Sequence, residues 1–298
     1  MKQFEYEKVN TPIEASQKLL ETKEDQGSRL IAGGTALVIM MKEGILAPDK
    51  LLDISKVTSM RGISYDEKKG LRIGSMSTHL EIEQSEIVTR LYPSLKEAFH
   101  SIGNVRIRSV GTIGGNLAYA EPQCNPPAIL AALGAEIHVA SAEGERAVPA
   151  DQFILGIFES ALKPGEVIIE VTIPPPKPNS ACSFYKFTPK SETDKPTSTV
   201  ATYLQLDSSL NKVVDCRIVV GAVGPKTFRC PNAEEFVKNV KGIAELDFAK
   251  VAELASEEFE VMDDLYGPSW YKKKVTKTII RDALKKTLST IAGEARSR

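Results

Sequence analysis

The sequence predicts an α+β fold in three parts: a small α/β lobe, a second α+β lobe, and a C-terminal antiparallel sheet with a bundle of helices. Three observations predict it. A β–loop–α–β order fills the chain up to Val57. Short helices and period-two segments then alternate as far as Ile173. Finally, the run Pro174-Pro175-Pro176-Lys177-Pro178 interrupts the pattern, because prolines so close together join neither a central strand nor a helix interior. The parts so defined are residues 1–57, 58–176 and 177–298.

In the first part, Thr11 reads as a helix N-cap, with Pro12 at the first helical position and Glu14 three residues on, in a helix running to about Lys23. Ser28 to Ala32 is a short apolar strand that enters a glycine loop. Thr35 to Glu43 is helical and Lys50 to Ser55 is a second strand.

In the second part, Ile63 to Tyr65 and Leu71 to Gly74 flank Asp66 to Gly70 as the arms of a hairpin. Helices are expected at Thr78 to Val88, around Leu95 to Ile102 and, buried, at Pro126 to Leu133. Strands are expected at Glu136 to Ala140, Glu145 to Pro149 and Glu166 to Ile173. In the third part, Ser183 to Thr188, Ser198 to Leu206 and Val213 to Val223 form a three-stranded antiparallel candidate. Helices follow at Ala233 to Asn239, Phe248 to Glu258 and Ser269 to Ile291.

Composition excludes several classes. The 298 residues are 42% hydrophobic and 26% charged, and 38 Lys+Arg against 39 Asp+Glu give a net charge of −1. No basic excess points to nucleic acid. The longest apolar runs, such as Ile129 to Ala135, fall far short of the ~20 residues that span a bilayer. Met1 to Tyr6 lacks the apolar core of a signal peptide, so a cytoplasmic protein is expected. Cys124, Cys182, Cys216 and Cys230 match no common zinc or iron–sulfur spacing and read as buried or half-buried thiols. His79, His100 and His138 lie too far apart for a helical metal motif and read as structural or surface residues.

Two glycine loops carry the chemistry: Ile31-Ala32-Gly33-Gly34-Thr35-Ala36 and Gly111-Thr112-Ile113-Gly114-Gly115-Asn116. Each reads as a strand end running into Gly-Gly and a small polar residue. Gly-Gly lets backbone N–H groups approach a ligand with no Cβ in the way, and consecutive N–H groups form a nest for phosphate. Two such loops about 80 residues apart are suited to the two phosphates of one dinucleotide. Neither is GxGxxG, and no Walker motif is present. A single Gly-Gly on its own is more often a tight turn.

The flanking residues add a resemblance. Leu30 to Leu37 resembles the first FAD loop of the xanthine dehydrogenase and aerobic carbon monoxide dehydrogenase flavoprotein family, and Arg106 to Ala118 resembles its second. Ala120-Glu121-Pro122, Ala128 to Ala135, Gly221 to Lys226 and Asp263 to Tyr271 continue the likeness through essentially the whole chain. The resemblance implies a two-lobed PCMH-type FAD-binding fold followed by the family's C-terminal domain. It implies a medium subunit of a molybdenum hydroxylase, working with an iron–sulfur small subunit and a molybdopterin large subunit in a heterotrimer or a dimer of heterotrimers. Electrons would pass from [2Fe–2S] clusters through FAD to an external acceptor.

Carried over by position, Ala32 to Ala36 and Thr112 to Asn116 would cradle the pyrophosphate, and Ile102 and Ile168 would flank the flavin ring. Lys186 would sit at the ring's polar edge, where a cation favours negative charge on the reduced ring. Where the family has an aspartate toward the ribityl chain this sequence has Asn125, which keeps hydrogen-bonding capacity without charge. Lys190-Ser191 replaces the family's arginine pair. Two alternatives stay open. One is a free-standing flavin reductase of the UDP-N-acetylenolpyruvoylglucosamine reductase type, although no matching acid residue or C-terminal glutamate motif is found. The other is a flavin-free scaffold, favoured only by Asn125.

Overall fold

The computed structural model describes residues 2–21 and 27–296. The first unit contains β1 (Glu5–Lys8), α1 (Pro12–Glu21), β2 (Ser28–Ile31), α2 (Leu37–Lys42) and β3 (Lys50–Asp53), with the three strands parallel in the order β1-β3-β2. The start of α1 is the predicted capping pair: Glu14 N–H donates to Thr11 Oγ1 at 3.0 Å, and Asn10 N–H to Glu14 Oε2 at 2.8 Å. Its expected end near Lys23 lies outside the described residues. Strand β1 was not anticipated. Glu-Tyr-Glu-Lys has no apolar alternation, and the strand is held as an edge by its backbone ladder to β3.

The second unit opens with the predicted hairpin, β4 (Ile63–Asp66) and β5 (Gly70–Gly74). Gly70 has φ +88°, and a Cβ there would fall 2.0 Å from the Ile173 carbonyl oxygen, so only glycine fits. The single helix expected over Thr78 to Val88 is two, α3 (His79–Gln84) and α4 (Glu86–Leu91). Ser85 breaks it by taking an extended backbone and capping the Val88 N–H with its hydroxyl. Next come α5 (Pro93–His100), α6 (Val105–Arg108), α7 (Ile113–Tyr119) and α8 (Pro126–Leu133). The unit closes with β6 (Glu136–Ser141), β7 (Gly144–Pro149), β8 (Ile154–Gly156), β9 (Glu159–Ser160) and β10 (Val167–Ile173). Its five-stranded antiparallel sheet has the order β4-β5-β10-β6-β7, while β8 and β9 form a separate hairpin that periodicity did not predict.

In the third unit, β11 (Ser180–Phe187), β12 (Ser198–Leu206), β13 (Val213–Gly221) and β14 (Phe228–Arg229) form a four-stranded antiparallel sheet. The sheet has one short strand more than expected. Helices α9 (Pro231–Asn239), α10 (Phe248–Ala255) and α11 (Ser269–Arg296) cover one face. Two hydroxyl pairs fix α11 on β12, Ser198 with Thr276 at 2.8 Å and Thr202 with Thr287 at 2.7 Å, so these buried polar groups satisfy each other. The other face of β12 packs on α8, whose Ile129 and Leu130 share one apolar cluster with Ala201 and Val219. This packing holds the second and third units together along one side of the site.

Candidate cofactor site

A cavity of about 960 Å³ opens where the three units meet. That is the upper end of the roughly 300–1,000 Å³ typical of small-molecule sites. Every residue predicted for the cofactor site lines it except Gly111 and Ile113. Ile113 is fully buried in the apolar core behind the wall, and the Gly111 carbonyl accepts from the His79 N–H at 2.9 Å.

The two glycine loops touch each other. A Cβ on Gly33 would lie 1.8 Å from the Val110 carbonyl oxygen and 3.0 Å from Gly111 Cα, so glycine is required for the first loop to close against the second. Gly34 turns the first loop with φ +69°. Among the described residues, the N–H groups of Gly33, Gly34, Thr35 and Ala36 donate to no protein acceptor. Four successive unpaired N–H groups on a cavity wall suit an anion such as phosphate.

The second loop is built differently from its expectation. It is not a strand end but the start of α7, with Thr112 as N-cap. Its N–H groups are already in use: Ile113 donates to Ser77 O, Gly114 to Ser75 O, Gly115 to Thr112 Oγ1 and Asn116 to Thr112 O. A second N–H nest for phosphate is therefore absent. Helix initiation and the approach to β5 consume those donors, and the loop offers side chains instead. Asn116 Oδ1 is buried without a partner, as are Ser75 Oγ and His79 Nδ1, and all three residues line the cavity. Orphaned polar atoms of this kind are what a hydroxyl-rich ligand would satisfy.

Ile168, buried on β10, and Ile102, half-buried after α5, add apolar wall to the cavity. Asn125 is 3% exposed, and its amide donates to Ala98 O at 3.1 Å and Ser101 Oγ at 2.9 Å. Both amide hydrogens are thus committed inside the protein, and the carbonyl acceptor is what remains for a ligand. A carboxylate here would face the Ala98 carbonyl with no donor to offer, which accounts for asparagine at this position. Lys186 Nζ donates to Ser101 O at 2.7 Å and Glu192 O at 2.8 Å. Burial pushes the Lys186 amine down to about 8, with Asp194 and Glu192 opposing that shift.

Several wall residues escaped sequence reasoning. Of the two readings left open for His79, structural or surface, burial favours the first: it is 3% exposed, and burial followed by the Arg108 charge pushes its imidazole down to about 4, so it is neutral. Glu121 is buried and pairs with Lys195 at 2.9 Å. Burial works against the Lys195 charge, but the Glu121 carboxylate outweighs it and raises the amine above its usual value. Lys195 comes from the 188–197 connection between β11 and β12, which runs along the cavity mouth. No local motif marks a pair 74 positions apart. Cys124 also lines the wall, where burial raises its thiol to about 12, so it is not a reactive thiolate.

The free N–H row, the glycine-only approach of the loops, the orphaned acceptors and the apolar walls together fit a dinucleotide carrying a flat ring. Comparison with known proteins agrees. Residues 2–176 match the family described as "FAD binding domain in molybdopterin dehydrogenase", and residues 183–287 match "CO dehydrogenase flavoprotein C-terminal domain". The carbon monoxide dehydrogenase medium chain of Hydrogenophaga pseudoflava is 30% identical over 281 residues, 94% of this chain and 96% of that protein. The glyceraldehyde dehydrogenase medium chain of Sulfolobus acidocaldarius is 30% identical over 285 residues, 95% and 98% of the two chains. A solved chain of the H. pseudoflava carbon monoxide dehydrogenase superposes with a TM-score of 0.90 at 28% identity, covering 96% of this chain and 98% of that one. One of quinoline 2-oxidoreductase from Pseudomonas putida 86 does so at 0.86 and 27%, covering 97% and 98%. With both of its halves matched in order and its cofactor thereby identified as FAD, this chain belongs to the family of FAD-binding subunits of molybdenum hydroxylases, the carbon monoxide and xanthine dehydrogenase type.

Proposed function

We propose that this chain is the electron-relay subunit of a cytoplasmic complex. It would take electrons from [2Fe–2S] clusters of a small subunit, while a large molybdopterin subunit oxidises the substrate, and it would pass them to an external acceptor. A heterotrimer or a dimer of heterotrimers is the assembly in this reading, with 1–57 and 58–176 holding the cofactor and 177–298 closing its far side. Bound FAD supplies the conversion between single-electron and paired-electron transfer. The observation that carries the proposal is the junction of the two glycine loops at Gly33 and Val110, which makes one binding wall from two separate units. Relatives named as the medium chain or subunit of a dehydrogenase complex support it.

The residues divide the work by chemistry. The free N–H groups of Gly33 to Ala36, following Ile31 and Ala32, suit the pyrophosphate. Thr112, Gly114, Gly115 and Asn116 offer a hydroxyl, close backbone and an acceptor, while Gly111 and Ile113 hold that loop from behind. Ile102 and Ile168 exclude water beside the ring, Asn125 offers its carbonyl to a sugar hydroxyl, and Lys186 places a cation at the ring's edge. No observation in the structure favours the free-standing reductase, and the buried hydrogen bonds of Asn125 account for the one feature that favoured a flavin-free scaffold.

The test is anaerobic mixing of the FAD-loaded chain with its reduced iron–sulfur partner. The visible flavin band should bleach as the clusters reoxidise. A flavin that stays oxidised beside reduced clusters in the assembled complex overturns the relay.

A further inference from the structure

The β8–β9 hairpin holds a strained aromatic residue at the rim of the cavity. Phe158 has φ +57°, a left-handed backbone that a bulky side chain takes only when its surroundings force it. Here the forcing contacts are visible. The Phe158 N–H donates to the Ala120 carbonyl at 3.0 Å, and Ala120, just past α7, is itself left-handed at φ +49°. The Phe158 ring packs on Tyr119, the last residue of α7, with centroids 5.1 Å apart and planes tilted by 43°. Both residues line the cavity.

The hairpin does not need this ring for its own anchoring. Phe153 and Ile154 at its base are 0% and 5% exposed and belong to the main core, whereas Phe158 is 57% exposed. The left-handed backbone belongs to the tight turn between Gly156 and Glu159, and with the turn tied to Ala120 it leaves the exposed Phe158 ring beside Tyr119 on the cavity wall. The two rings stand together on the cavity wall at the end of the helix that begins at the second glycine loop.

We propose that Phe158, braced on Tyr119, is an aromatic cap over one end of the FAD cavity that limits how far water and small solutes reach the bound cofactor. The inference rests on the FAD site described above and adds a positioning residue to it. Because Ala120 fixes the hairpin through its backbone, the cap stays coupled to α7 and to the second loop.

The test uses the full chain loaded with FAD, comparing Phe158→Gly and Phe158→Tyr with the unsubstituted protein. Glycine accepts φ +57° without strain, so Phe158→Gly should keep or raise the thermal midpoint while removing the ring. It should release FAD about fivefold faster, the loss of one aromatic contact, and iodide should quench its bound-flavin fluorescence more strongly. Phe158→Tyr should behave as the unsubstituted chain. Release and quenching that stay within about twofold in Phe158→Gly overturn the cap while leaving FAD binding intact. If quenching is unchanged but partner subunits no longer copurify, the cap is likewise overturned and the apolar hairpin becomes a docking surface. An unsubstituted chain that takes up no FAD overturns both the cap and the flavoprotein reading, which separates the two failures.

Discussion

At the scale of single residues, the site is set by groups whose charge burial has altered. His79 is neutral because its imidazole is pushed down to about 4. In the unfolded chain the same group protonates near its ordinary pKa of about 6.5. Between these values the unfolded state binds the extra proton, so stability falls as pH drops through that window, by up to about 3 kcal/mol. Chemical denaturation of the cofactor-free chain from pH 7 to pH 4 should show a shallower loss in His79→Gln. Lys186 acts in the same direction at higher pH. Its amine is held down at about 8, so the folded chain releases the proton first. Stability should therefore rise from about pH 8 to about pH 10.5, and Lys186→Met should lose that rise. The same substitution removes a cation from the cofactor's edge. Spectroelectrochemistry should find the bound FAD harder to reduce, by on the order of 30 mV, equivalent to about 1.4 kcal/mol. An unchanged potential would show that Lys186 acts only by tying Ser101 to Glu192.

At the scale of elements, the 188–197 connection behaves as a strap across the cavity mouth. Lys186 holds Glu192, Lys195 pairs with buried Glu121, and Thr197 donates to the Tyr266 carbonyl at 2.8 Å. The loop carrying Tyr266 is fixed in turn, since Asp264 ion-pairs with buried Lys272 at 2.6 Å and accepts from Gln123 at 3.1 Å. Lys195→Ala would leave Glu121 buried beside the cavity without its cation. Because Lys195 is half exposed, the loss should be about 1–2 kcal/mol, below that for a fully buried pair, and urea unfolding would measure it. Elements with strong periodicity or caps were legible in the sequence. The Thr11–Glu14 capping pair, the β4–β5 hairpin, α8 and the long strands of the C-terminal sheet all stand where expected. Those missed lack such signals. β1 is charged and held by pairing alone, and α7 begins inside a Gly-Gly sequence that reads as loop until the Thr112 cap is seen. The break at Ser85 depends on one backbone conformation that hydrophobic spacing does not encode.

At the scale of the molecule, residues from all three units converge on one cavity, and that convergence is what a single sequence shows least directly. The glycine loops were legible as motifs, and their neighbours tied them to a family. Their contact was not, because Gly33 needs to lack a Cβ for the sake of Val110, which is far away in the chain. Nor was the division of labour between the loops, which depends on Ser75 and Ser77 carbonyls taking the second loop's donors. Lys195 and Phe158 reach the rim from distant segments for the same reason. The central claim is that these loops close on each other to hold FAD. It is tested most directly by titrating FAD into the purified cofactor-free chain and into Gly33→Ala. A methyl group at Gly33 would meet the Val110 carbonyl oxygen at 1.8 Å and force the loops apart. Gly44→Ala is the control, since nothing lies within 4 Å of a Cβ added there, although its φ of +73° makes the substitution the more strained of the two in backbone terms. The expected result is one FAD per chain, retained in Gly44→Ala and weakened at least about a hundredfold in Gly33→Ala, a loss of about 3 kcal/mol. Equal affinity in Gly33→Ala, or no uptake by the unsubstituted chain, would contradict the claim.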